Sequence, residues 1–347
     1  MVQSMKSKHQ TGMTLIELMV ALAIGAFLMI GAITVFMQSR TTFRITESLS
    51  RLQENARFGL DSIEPDIRMA HYWGLTSRAY LIVGYSLANP GALRRTPTDP
   101  AAPGLLHPCG NNWAVNLNEA VEGSNGSAPW PWGCAANGDT GPVAANSDTL
   151  VVRRVTEDPA VAVAGQVSIQ STRSQLGQIF VGAAVPAGYN AATSATHRLI
   201  VNGYYVNQGS AVAGTPSLRR TILRANGAGA VDDEEVMAGV EDMQIQFGVD
   251  TDVPGVPFAP NPNRGSVDRY VNPDDPMIDP TNVGFDPNAE ILSVRVWLRV
   301  RAERAEPGFT DTTNYIYADQ NVGPFNDGFR RILVSKTIYL RNARPGL

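Results

Sequence analysis

Gly12-Met13-Thr14-Leu15-Ile16-Glu17-Leu18 opens the stretch that decides the fold. From Leu18 to Met37 the chain then carries neither a charge nor a proline. At about 1.5 Å per helical residue this run reaches roughly 30 Å, the thickness of a bilayer's hydrocarbon core. Lys6 and Lys8 lie ahead of it in a short polar leader ending at Gly12, so the positive-inside rule predicts a cytoplasmic leader and everything after the span on the other side. Near the start of the apolar run stands one carboxylate, Glu17. Its spacing from Thr14 fits a capping box, in which each residue satisfies a free backbone N–H at a helix start. That reading leaves unexplained why Leu15 and Ile16 precede the acid and why a small glycine stands just before the segment.

The helical pattern continues past the span. Ile45, Leu49, Leu52, Ala56, Leu60, Ile63, Ile67 and Ala70 recur at steps of three or four, one stripe of an amphipathic helix. Arg44, Glu47, Arg51, Glu54, Arg57, Asp61 and Asp66 form the charged face expected to meet solvent. Together these predict an N-terminal helix over residues 13–70, transmembrane over about 18–37, and near 85 Å long if continuous. Pro65 predicts a kink, or an early end near Glu64.

From His71 onward the pattern changes to short β runs between loops, and residues 71–347 read as a β-rich head. Expected strands are Ala79–Leu87, Asp148–Glu157, Gln178–Ala183, Arg198–Val206, Leu218–Ala225, a turn and strand over Val236–Val249, Ala289–Ala302 and Arg330–Arg341. In the penultimate one Val294, Val296, Leu298 and Val300 share a face, with Arg295, Trp297, Arg299 and Arg301 on the other. A solvated sheet face explains those arginines better than a nucleic-acid patch. Asn89 to Ser147 reads as a long irregular stretch.

Composition bounds the function. The chain has 347 residues with 32 Gly and 23 Pro, which predicts many turns and long loops. Its formal charge is −4, or −6 without the leader's two lysines, an acidic balance that argues against nucleic-acid binding. Two cysteines, Cys109 and Cys134, are expected to form a disulfide, closing a loop of about 25 residues and contributing roughly 3 kcal/mol in the chain-entropy model. Trp113, Trp130 and Trp132 lie in the same stretch, to pack on the bridge or to stack a ligand. Asp250, Asp252 and Asp268 are the calcium candidates, but Val253-Pro254-Gly255 breaks the ligand spacing and no metal is expected. His71, His107 and His197 are isolated, and no nucleophile elbow, phosphate loop or metalloprotease motif occurs, so neither an enzyme nor a cofactor is expected.

The basic leader, Gly12, Met13-Thr14-Leu15-Ile16-Glu17-Leu18 and the long apolar helix together resemble the class III signal of type IV prepilins and pseudopilins. The resemblance implies cleavage after Gly12 by a membrane aspartyl peptidase and methylation of the new terminus on Met13, a departure from the usual Phe. Glu17 would then sit near a new α-ammonium, its own or a neighbouring subunit's. A carboxylate at membrane depth costs about 2.5–3.5 kcal/mol on insertion scales, so it should have such a partner. Thr34 stands where many major pilins carry a kinking proline, which points to a minor subunit.

Further in, Val240-Glu241-Asp242-Met243-Gln244-Ile245-Gln246-Phe247-Gly248-Val249-Asp250-Thr251-Asp252, Asp268-Arg269-Tyr270-Val271, Ile291–Val300 and Tyr339-Leu340-Arg341-Asn342 resemble segments of PilW-type minor pilins. Relatives carry a compact Asp-Gly-Asp-rich turn where this chain has a Pro/Asn insertion, Pro254 to Arg264. The implied fold class is α+β: a long N-terminal helix packed on an antiparallel β-rich head with long loops.

The implied function is that of a minor pilin at the tip or priming complex, supporting pilus assembly, adhesion and twitching. Implied partners are the prepilin peptidase, other minor and major pilins and the inner-membrane assembly platform. The implied course is an inner-membrane single-pass stage with a periplasmic head, then the pilus surface. Two alternatives stay open: a minor pseudopilin of a type II secretion system, and a signal-anchored periplasmic binding protein or adhesin using the tryptophan-rich loop.

Overall fold

The computed structural model describes residues 12–83, 116–126, 142–223, 231–252, 263–279 and 282–343. The chain divides after Arg51 into two compact units, and one helix, α1 (Leu15–Met69), contributes to both. In the first unit nearly every helical side chain is exposed, including Phe27, Leu28 and Ile30. An 18-residue window here has a mean hydropathy of 2.5, long and apolar enough to cross a membrane. The threonines in this part do not leave free hydroxyls. Thr34, Thr41, Thr42 and Thr46 each donate to the carbonyl four residues back, at 2.8–3.0 Å.

The second unit is built on two main sheets. The larger has eight strands: β1 (Ile82–Val83), β2 (Val121–Ser124), β3 (Thr149–Val155), β4 (Val167–Thr172), β5 (Gly177–Val181), β6 (Ser194–Asn207), β7 (Ser217–Leu223) and β8 (Val231–Ala238). Their order is β1-β5-β4-β6-β3-β2, with β7 on β6 and β8 on β7, antiparallel except for β1 with β5. The long β6 serves β4 with its first residues and β3 and β7 with its last.

The second sheet follows the order β10-β9-β11-β14, from β9 (Val240–Asp250), β10 (Arg269–Val271), β11 (Glu290–Arg301) and β14 (Arg331–Tyr339). Between β11 and β14 lies a two-stranded hairpin, β12 (Tyr315–Tyr317) and β13 (Gln320–Val322). Gly239 links the sheets at φ +93°, and a Cβ there would lie 2.9 Å from the Arg301 carbonyl oxygen, so only glycine fits.

One apolar core fills the second unit. The end of α1 supplies Leu52, Ala56, Leu60, Ile63 and Ile67, which pack with Val294, Val296, Leu298 and Val300 of β11 and with Leu150, Val152 and Val201 of the larger sheet. Gly59 lets the helix approach closely: a Cβ on it would meet Leu298 Cδ1 at 3.0 Å and Met237 Cε at 3.3 Å.

Several expectations need correction. The helix does not end near Glu64 but passes through Pro65 to Met69. Contacts made by the next turn offset the N–H that proline lacks: the Asp66 carboxylate is hydrogen-bonded, and Ile67 and Ala70 are fully buried. Ala79 opens a 3₁₀ turn over Ala79–Leu81 rather than a strand; Ile82–Val83 pair, and residues 84–87 of the expected strand lie outside the described residues. The stretch expected to be irregular contains β2, whose Val121–Ser124 runs along β3. Strand β4 is absent from the expected strands, because VSIQST lacks apolar alternation; it is central and buried on both faces. Where Val236–Val249 predicts a turn and a strand, the turn is Gly239 between β8 and β9.

Candidate functional site

The helix start carries the segment expected to be processed, Gly12 to Leu18. Thr14 N–H donates to Glu17 Oε2 at 2.9 Å, Thr14 Oγ1 donates to the same oxygen at 2.8 Å, and Glu17 N–H donates to Thr14 Oγ1 at 3.3 Å. That is the reciprocal capping box. It occupies only one carboxylate oxygen, and Glu17 Oε1 makes no hydrogen bond among the described residues. Met13, Leu15 and Ile16 around it are exposed, so the acid sits in an apolar, uncovered collar.

At the other end of α1, a set of polar groups fastens the helix to both sheets. Asp66 is 4 % exposed, although the sequence placed it on the solvated face. Its Oδ1 accepts from Arg154 Nε at 2.8 Å, and its Oδ2 accepts from Asn202 Nδ2 and Tyr204 OH, both at 2.5 Å. Burial first, and the Asp66 charge second, hold the Tyr204 hydroxyl well above its usual range, so it stays a donor. On the side of the smaller sheet, Lys336 Nζ reaches Asp61 at 2.8 Å and Glu64 at 2.5 Å, and Asn342 Nδ2 donates to Ala70 O at 3.3 Å. The lysine's bonds to the two acids raise its pKa and lower that of Asp61. Only Asp66's place beside Ile67 hinted at burial, since a helical stripe of apolar residues has a fuzzy border.

The arginine face of β11 is largely covered rather than solvated: Arg299 is buried, and Arg295, Trp297 and Arg301 are half-buried. Residues from the connection before β14 lie over it. Arg299 is 8 % exposed, donates to Tyr317 OH at 2.5 Å and to Glu241 at 3.2 Å, and lies 5.0 Å from the Phe325 ring centre. Arg331 donates to Glu241, Asp311 and Asp327 at 2.7–3.0 Å and lies 3.9 Å from the same ring. Tyr317 OH in turn donates to buried Asp242. Desolvation raises the Asp242 pKa despite that bond, and burial pushes the Tyr317 phenol up. Alternation along β11 is the same for a wet face and for one covered by a distant loop, which is why the sequence could not separate them. His197, isolated in sequence, is buried with Nδ1 2.8 Å from Thr156 O and its ring edge-on to Tyr72.

Asp250, Asp252 and Asp268 come together, with a ligand atom from each within 4.8 Å of the others. Backbone groups already use two of them. Asp250 accepts from Asp252 N–H and Gly265 N–H at 2.9 and 2.5 Å, and Asp268 accepts from Thr251 N–H and Oγ1, both at 2.8 Å, which lowers its pKa. Asp252 Oδ2 is buried without a partner. Cys109, Cys134, Trp113, Trp130 and Trp132 lie outside the described residues, as does the leader.

Comparison with known proteins bears on both ends of the chain. Residues 7–33 match the family model of the prokaryotic N-terminal methylation motif. Residues 203–342 match that of Type IV Pilus-assembly protein W, a span running from β6 through β14. Among solved structures, a type IV-like pilin from Thermus thermophilus matches at 18 % identity over 53 % of this chain and 87 % of its own, with a TM-score of 0.23. No curated protein matches at a significant level.

Proposed function

We propose that this chain is a type IV pilus minor pilin of the PilW type, anchored by an apolar N-terminal helix, and that it is processed and used as follows. The prepilin peptidase cuts after Gly12, so that residues 1–12 are lost, and methylates the new amine on Met13. The span waits in the inner membrane with the head, residues 71–347, in the periplasm. The subunit then joins other minor pilins and the major pilin, through the inner-membrane assembly platform, in a tip or priming complex that supports assembly, adhesion and twitching.

The observation that carries this reading is Glu17 at the mouth of a 55-residue helix. Its capping bonds take Oε2 and leave Oε1 for the Met13 ammonium of the same or an adjacent subunit. Such a pair offsets a charge that lipid would otherwise penalise, and sets axial register between helices. Mass spectrometry of the membrane-purified chain tests the processing step: a protein beginning at Met1 in cells with active peptidase refutes it. Glu17→Ala is expected to keep processing and lose filament incorporation, and normal incorporation would remove the acid's assembly role.

A further inference from the structure

Among the described residues, the long outer edge of the smaller sheet has no strand partner. Ala302 N–H donates to Arg330 O and Leu340 N–H donates to Leu292 O, and the β11–β14 register runs between them without a shift. Even-numbered residues of β14 therefore face β11 with their main-chain groups. Arg331, Leu333, Ser335, Thr337 and Tyr339 turn theirs outward. Among the described residues none of these outward N–H or C=O groups is bonded. The sheet's other edge, β10, is only three residues long. An open row of this length is a template for strand addition.

Beside it runs a groove of about 270 Å³ between β14 and α1, lined by Leu60, Ile332 and Val334, with Gln53, Arg57 and Lys336 at its margins. A strand laid on the β14 edge would turn alternate side chains into that groove, so its residues there should be apolar. Arg57 on the far wall has an 84 % exposed side chain, held only by a 3.5 Å pair with Asp61, whose carboxylate Lys336 already engages at 2.8 Å. Arg341, just past the strand, is exposed, and its guanidinium pairs with nothing among the described residues. Both cations suit an incoming strand that carries carboxylates near its ends.

We propose that β14 is completed by an extended strand of a different, neighbouring pilin subunit, apolar at alternate positions and acidic near its ends. This rests on the minor-pilin assignment, which supplies other pilins as neighbours. The main chain of the partner pairs with Arg331–Tyr339, and its apolar side chains cover Leu60, Ile332 and Val334.

The test uses the full chain in cells that assemble pili, with a benzophenone amino acid at position 335. Irradiation is expected to give an adduct whose tryptic peptides include an extended segment of another pilin. Thr337→Pro removes one outward N–H and leaves the β11 ladder intact, and should cut the adduct about tenfold. Thr337→Val, which keeps the N–H, should leave the yield unchanged. Arg57→Glu, a surface change, should lower it with little change in the melting temperature, which covers the case of a misfolded proline variant. The N-terminus is sequenced in the same sample. No adduct from a chain that begins at Met13 overturns the proposal alone, as does an adduct only with a second copy or with a protein that is not a pilin. A yield unchanged by both Thr337→Pro and Arg57→Glu overturns it too. A chain beginning at Met1 overturns the minor-pilin reading and the proposal with it.

Discussion

Asp66→Ala should loosen the end of α1 from the larger sheet, and the size of the loss can be worked out from what the carboxylate holds. Three donors meet on it from two strands: Arg154 of β3, and Asn202 and Tyr204 of β6. Removing the acid leaves the Asn202 amide and the Tyr204 hydroxyl buried without an acceptor, at about 1–3 kcal/mol each. Arg154 has a 17 % exposed side chain and can turn partly to water, which reduces its share. Breaking a buried ion pair costs about 3–5 kcal/mol as a whole, and the two figures agree. For a head of this size that is a fall in melting temperature of about 6–20 °C. The assay is thermal unfolding of the detergent-purified full chain, monitored by circular dichroism.

Tyr204→Phe alone should cost about 1–2 kcal/mol, and the double variant less than the sum of the singles, because the lost bond is shared. Asp66→Asn should recover only part of the loss, since its amide points hydrogens at donors. A melting temperature within about 2 °C of wild type for Asp66→Ala would refute the reasoning, because two buried donors cannot be orphaned that cheaply.

The same geometry sets other expectations. Arg331→Met removes a 2 % exposed guanidinium from Glu241, Asp311 and Asp327, and should cost about 3–5 kcal/mol while opening residues 302–330 to limited proteolysis before the rest of the head. Gly59→Leu drives a side chain into Leu298 and Met237 and should destabilise by about 1–3 kcal/mol in urea titration, whereas Gly59→Ala should cost less, because Met237 is flexible.

Burial is the main reason the Asp148 carboxyl is pushed up to about 7, against two backbone N–H bonds from Gly126 and Ile245 that favour its charge. Its folded value exceeds its unfolded one, so its contribution is complete below about pH 4 and is lost as pH rises through 7. The melting temperature should therefore decline between about pH 4 and 7, on top of the opposite trend from paired acids such as Asp61 and Asp327, and Asp148→Asn should remove that decline.

Local pattern made some of the molecule legible and not the rest. The apolar run and the stripe from Leu52 to Ala70 identify α1, because burial of one helical face imposes its period on the chain. Strands β3, β7, β11 and β14 are β-branched and alternate, and their cores show in the sequence. Strand β4 hides because its neighbour β6 satisfies the Gln170 and Ser171 side chains in place, so polar residues can be central. Asp66 and the covered arginines hide for the same reason: their partners are far away in the chain, 88 or more residues for Asp66, or on a facing segment. The capping box is legible in the sequence, since Thr14 and Glu17 are local to each other.

What the head adds to the helix is a means of fixing its position along its own axis. Packing of Leu52, Ala56, Leu60 and Ile63 on the sheets is apolar and non-directional, and by itself it resists separation far better than it resists sliding. Sliding by one turn would move Asp66 away from Tyr204 and Asn202, and Asp61 and Glu64 away from Lys336. Each bond is directional and short, so a shift of a few ångströms loses all of them together. The bonds lie on opposite sides of the helix end, one set to β3 and β6 and the other to β14, so rotation that spares one breaks the other. Within the head, sliding of the end of α1 is therefore resisted by the bonds of Asp66 and Lys336 more than by the apolar stripe.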